Sequence, residues 1–205
     1  MNYYAYNRTA SGQCWRCNSD FNSTTTYGRV AYQLSASTSL EADYTHLYYL
    51  AQQPGGLTDN EFYADPRQSK RERNWFKVNW NLMSAQLNPS FTSTLRLNSR
   101  FFGLVAGREA LGNLGRIDRP DDETQNRDFL SDSFRNFGNE TRLIWNYKVG
   151  RQYSALLVGG RIYNGFTVRK QGAGPAGKEA DFRYLNPERL EGSDFDLPSF
   201  NTAAF

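Results

Sequence analysis

The 205-residue chain is long enough for one domain with a sizeable interior. Its 24 basic and 21 acidic residues are mixed along the length and leave a net charge of +3, which gives no general basic footprint for nucleic acid. Aromatics are 15% of the residues although mean hydropathy is −0.73, a pairing that disordered chains lack and that strands with one aromatic and one polar face produce.

Period-two alternation bounded by turn residues recurs along the chain. No window sustains the apolar stripe of an amphipathic helix, so the fold is read as all-β. Met1 to Arg8 is a partial strand before a polar loop. From Arg29 to Leu34, Val30, Tyr32 and Leu34 alternate with polar or small neighbours. Leu40, Ala42, Tyr44, His46 and Tyr48 then alternate with Glu41, Asp43 and Thr45. Phe76, Val78, Trp80 and Leu82 oppose Lys77, Asn79 and Asn81, and Leu95, Leu97 and Phe101 oppose Arg96, Asn98 and Arg100. Thr141, Leu143, Trp145 and Tyr147 oppose Glu140, Arg142 and Asn146; Leu156, Val158 and Ile162 oppose a face carrying Arg161 and Tyr163. The count is about seven strands, and bacterial transmembrane barrels close with even numbers.

The links alternate in length. Short ones fall around Ser35–Ser39, Asn88–Ser93 and Val149–Gln152; long ones run Gln52–Arg73, Val105–Phe137 and onward from Asn164. One plain rim and one decorated rim is the pattern of a transmembrane barrel, with short periplasmic turns and long outer loops. No stretch approaches the roughly 20 apolar residues of a spanning helix, the longest apolar run being Ala155–Val158, so any crossing uses strands. Met1–Tyr6 has neither a basic leader nor an apolar export core, and an exported protein is expected to have its true start elsewhere.

Candidate chemistry is sparse. Cys14-Trp15-Arg16-Cys17 has redox or half-zinc spacing, but the flanks open no helix and His46 is the single histidine, which favours a loop disulfide or bystander thiols. Gly172 to Lys178 fits a glycine-rich phosphate motif, yet Pro175 removes an amide and Glu179 stands where a hydroxyl would meet magnesium; a flexible outer loop explains these glycines. Asp118, Asp121, Asp122, Glu123 and Asp128 lack calcium-loop spacing and are interleaved with arginines, as on a solvated loop. No Ser, His and Asp constellation is recognisable, so the chain is read as a non-enzyme without a cofactor.

The run Leu50-Ala51-Gln52-Gln53-Pro54-Gly55-Gly56-Leu57-Thr58-Asp59, then Asp65-Pro66-Arg67-Gln68-Ser69 and Arg73-Asn74-Trp75-Phe76, resembles a barrel segment of TonB-dependent outer-membrane receptors of the ferric-citrate type. Leu97 to Leu104, Ala110-Leu111-Gly112, Phe137 to Arg142 and Gln171 to Gly174 resemble the same family in the same order. The resemblance runs from about Tyr27 to the end. It implies a Gram-negative outer-membrane location, a barrel of about 22 strands within the family's range, and uptake of a ferric chelate such as ferric citrate or a siderophore. It also implies a plug domain, absent from residues 1–205, through which TonB acts, with both ends of this chain cut from a larger barrel.

An anionic ferric chelate is attracted by guanidinium groups through planar, charge-assisted bonds, which nominates Arg67, Arg71 and Arg73 at the first long loop. The competing role for these arginines is balance of nearby carboxylates or contact with lipid phosphates. On strand faces, Val78, Trp80, Leu97 and Leu143 are expected to meet lipid, and Arg96, Arg100 and Arg142 the lumen. Two other functions fit the composition: a secreted carbohydrate-binding β-domain and a passive porin-like channel.

Overall fold

The computed structural model describes residues 1–12 and 15–188 in full and 195–204 as backbone. One sheet holds all its strands in sequence order: β1 Asn2–Gly12, β2 Phe21–Ser35, β3 Thr38–Gln52, β4 Trp75–Pro89, β5 Leu95–Gly112, β6 Arg127–Val149, β7 Gln152–Gly174 and β8 Phe195–Ala204. Every neighbouring pair is antiparallel, and one short helix, α1 Asp59–Ala64, interrupts the all-β pattern. Thr58 and Glu61 close a reciprocal capping box around its first turn, which is why six residues hold helical form here.

The structure has eight strands among the described residues, one more than the alternation suggests. The addition is β8, which contains Pro198. That strand pairs with β7 alone, and an edge strand tolerates the missing proline N–H. The other strands outrun their expected ends. β2 begins at Phe21, and β5 and β6 reduce the Val105–Phe137 link to residues 113–126. At 23 residues each, β6 and β7 extend about 75 Å at roughly 3.3 Å per residue, about three times the height of a barrel's lipid-facing band.

Directly opposed residues share a side of the sheet, so the register sorts every side chain. One face carries Val30, Ala42, Met83, Leu97, Phe101, Leu143, Val158 and Ile162 near the short-turn end. Most of these residues are exposed, Ile162 at 63% and Phe101 at 65%, and together they make an apolar band. The other face at the same level carries Arg29, Glu41, Ser84, Arg100, Glu140, Arg142 and Arg161. The Arg29–Glu41 ion pair and the Ser84 hydroxyl bond to Asp43 link that charged belt across strands, and Arg142 pairs with Glu140 along β6.

Leu97 and Leu143 lie on the apolar face and Arg96, Arg100 and Arg142 on the charged one, as the alternation implies. Val78 and Trp80 do not. Val78 pairs with Arg108 and Trp80 with Ala106, which places both on the side of Arg100. Strand β4 changes its apolar side midway: Phe76, Val78, Trp80 and Leu82 face one way, then Met83, Ala85 and Leu87 face the other. A strand longer than the band passes through two environments, and its alternation inverts where it leaves the first.

Candidate functional site

All three long links that follow β3, β5 and β7 lie at one rim, and buried arginines stitch them together. Arg73, 2% exposed, donates Nε to Asp121 Oδ2 at 3.1 Å and Nη2 to Asp121 Oδ1 at 2.7 Å. Its remaining protons reach the carbonyls of Asp122 at 2.8 Å, Gln125 at 3.0 Å and Ala176 at 2.9 Å. Arg71 gives Nη1 to the Arg119 carbonyl and Nη2 to the Arg116 carbonyl, each at 3.0 Å. Arg127 at the start of β6 donates to the carbonyls of Pro175 at 2.6 Å, Arg73 at 3.0 Å and Glu179 at 2.8 Å.

Guanidinium suits this work because its five N–H donors fan out in a plane and satisfy loop carbonyls that lack strand partners. Asn74 completes the knot by bonding both ways with Asn113, at 3.1 and 2.8 Å. Gly112 has φ 150° and lies against that amide, so no other residue fits there. The glycine-rich run packs against the same knot. A Cβ on Gly174 would come within 2.5 Å of Leu111 Cδ1, and the carbonyls of Pro175 and Ala176 receive Arg127 and Arg73.

The sequence-nominated arginines therefore separate. Arg71 and Arg73 meet in the knot with most donors committed to the loops. Arg67 stands apart and exposed, its Nε donating to the Trp15 carbonyl at 3.3 Å and its guanidinium 5.9 Å from the Trp15 ring centre. Lys70 bonds Glu61 Oε1 and the Ile117 carbonyl, both at 2.6 Å. The Lys70 ammonium, joined by the Thr58 amide and hydroxyl, holds the Glu61 carboxyl down at about 2. The Arg73 fork likewise holds Asp121 below the usual carboxylate range. Cys17 is exposed, while Cys14 lies outside the described residues. Among the described residues no cluster of His, Cys, Asp and Glu is arranged to hold a metal ion.

A second cluster lies below the knot on the charged face. Asp132 on β6 has a side chain 0% exposed, flanked by Arg108 of β5 and Arg169 of β7 at 39% and 44%. Arg108 donates Nε to Oδ2 at 3.0 Å and Arg169 donates Nε to Oδ1 at 2.7 Å. One carboxylate thus holds two cations side by side and leaves the trio with a net positive charge on the charged face. The sequence reading missed Arg108 and Asp132 because it assigned Val105–Phe137 to a loop. The signal that reveals them is the charge complementarity of opposed strand pairs, which requires the register. Trp80, Leu104 and Phe134 sit beneath the trio on the same face.

No protein-family model and no curated protein matches the sequence. The crystal structure of the ferric citrate transporter FecA in the unliganded form does match in three dimensions, with a TM-score of 0.78 over 98% of this chain. The chain folds as a segment of a β-barrel. Identity to that transporter is 17%, and the chain spans 29% of its length, so the similarity establishes the fold.

Proposed function

We propose that residues 1–205 are part of the barrel wall of an outer-membrane, TonB-dependent receptor that takes up a ferric chelate, citrate or a siderophore, in a Gram-negative bacterium. The observation that carries this reading is the two-sided sheet: an exposed apolar band outside and a charged belt inside, below a rim built from long loops. In this reading a plug domain elsewhere in the receptor fills the barrel and engages TonB, and lipid covers the apolar band. Arg67, the exposed member of the nominated set, contacts the incoming anion, and Arg71 and Arg73 hold the loops that present it. The Arg108–Asp132–Arg169 trio keeps the inner wall positive beneath them.

The test is uptake of radioactive iron supplied as ferric citrate, or as a panel of siderophores, by cells carrying the full-length receptor and lacking other ferric receptors. Accumulation with one chelate, lost when TonB is deleted, is the expected result. Uptake unchanged without TonB would point to the passive channel. Polysaccharide binding by a secreted product with no iron uptake would point to the carbohydrate-binding domain.

A further inference from the structure

We propose that a pocket on the charged face at the short-turn rim binds a hydroxycarboxylate anion and is the lowest of three cationic stations down β5 to β7; this rests on the reading that the charged face lines the lumen. The upper two stations share one plan. Arg100, Glu140 and Arg161 oppose one another across β5, β6 and β7 as Arg108, Asp132 and Arg169 do, eight residues lower on every strand. At roughly 3.3 Å per residue these rungs stand about 26 Å apart. Glu140 pairs with Arg142 and lies 3.9 Å from Arg161, so this rung also sets one carboxylate among several cations and stays positive. Four residues further down β5 comes Arg96, about 13 Å below the second rung. Its exposed guanidinium has no hydrogen-bond or ion-pair partner among the described residues.

Arg96 lines a pocket of about 930 Å³, within the size range of small-molecule sites. Two neighbouring turns close its lower edge, where the Ser90 amide donates to the Ser37 carbonyl at 2.7 Å. Above them Gln86 and Asn98 each donate one amide proton to Asn88 Oδ1, at 3.1 and 2.5 Å. The register puts all three on the face of Arg96. Gln86 and Asn98 each keep a second N–H and a carbonyl oxygen, and Ser90 and Ser93 add hydroxyls. A free guanidinium takes a carboxylate through two parallel bonds, while groups that both donate and accept suit a hydroxyl or second carboxyl beside it. A neutral sugar would leave Arg96 unused. A ferric hydroxycarboxylate coming down the wall and an iron-free one from the periplasm share this chemistry.

The experiment is equilibrium dialysis of the full-length receptor in detergent with radiolabelled citrate, offered iron-free and as ferric citrate. Arg96→Gln should weaken citrate binding about tenfold, the worth of one charge-assisted hydrogen bond, and Arg96→Lys should recover most of it. Ser90→Trp fills the pocket from an exposed turn and should abolish binding there with the charge intact. An Arg96-dependent equivalent of ferric citrate supports the site with the descending chelate as occupant; one seen with iron-free citrate alone supports it with a periplasmic acid. Citrate binding equal in wild type, Arg96→Gln and Ser90→Trp overturns the proposal. So does unchanged citrate binding by Arg96→Gln together with a leak of vancomycin into cells lacking TonB, which would make the pocket a seat for the plug. Iron uptake by wild-type cells is read in parallel. Its absence beside Arg96-dependent citrate binding removes the receptor reading and leaves the site, whereas uptake without such binding removes the site and leaves the reading.

Discussion

Arg73 grips Asp121 across 48 residues of sequence through two parallel bonds, 3.1 and 2.7 Å long, in a site where the arginine is 2% exposed. Such a pair loses most when one partner is removed and the other is left buried and charged. Arg73→Ala should destabilise the rim by about 3–5 kcal/mol. Arg73→Lys should recover only part of this, because an ammonium cannot reproduce the planar fork or reach the three carbonyls. Hydrogen exchange of residues 113–126 checks the prediction, and unchanged protection in Arg73→Ala would refute it.

Acid should loosen the same rim. Glu61 falls from 4.5 to about 2 on folding and Asp121 is also lowered, so both stabilise the loops fully above their unfolded values. That contribution fades as pH drops through the window from about 4.5 to about 2 for Glu61. Protease cleavage at the rim should be slow at neutral pH and rise through that window, and Lys70→Met should move the onset to higher pH. Cleavage that stays flat down to pH 2.5, about the bottom of the window, would contradict the assignment.

The two rims should face opposite compartments. With Cys14 and Cys17 replaced by serine, a cysteine at exposed Asp118 should react with an impermeant maleimide on intact cells, and one at Ser37 should not. Asp121 is unsuitable as a reporter because its side chain is 9% exposed. Labelling at Ser37 with protection at Asp118 would invert the barrel.

Trp80 and Trp145 should report opposite sides of the wall. With the other tryptophans changed to phenylalanine, Trp145 fluorescence should be quenched by brominated lipid, as its outward row with Leu95 and Leu156 requires. Trp80 should resist that quencher. Strong quenching of Trp80 by brominated lipid would show that the register of β4 is wrong.

How far these features can be read from sequence depends on whether they are local. The alternation at Leu40–Tyr48, Leu95–Phe101 and Thr141–Tyr147 and the turn chemistry at Ser35–Ser39 are local, and they give the strands and the two unequal rims. The strand ends were harder to place, because Glu109, Arg127 and Asp128 look like loop residues although they sit in paired strand beyond the apolar band. Trp80 misled for a related reason: alternation says that two faces differ, and only pairing with Ala106 says which is which. The arginine knot and the Asp132 trio join residues 24 to 103 positions apart, and no spacing rule anticipates them.

The change of side between Leu82 and Met83 also limits how this wall can vary in length. One residue inserted there would send Met83, Ala85 and Leu87 to the charged face and turn Ser84 and Gln86 to the apolar one, whereas a dipeptide would lengthen the strand with both halves still correctly turned. Two residues are thus the smallest step by which β4 can grow or shrink, and related walls should differ at this point by even numbers.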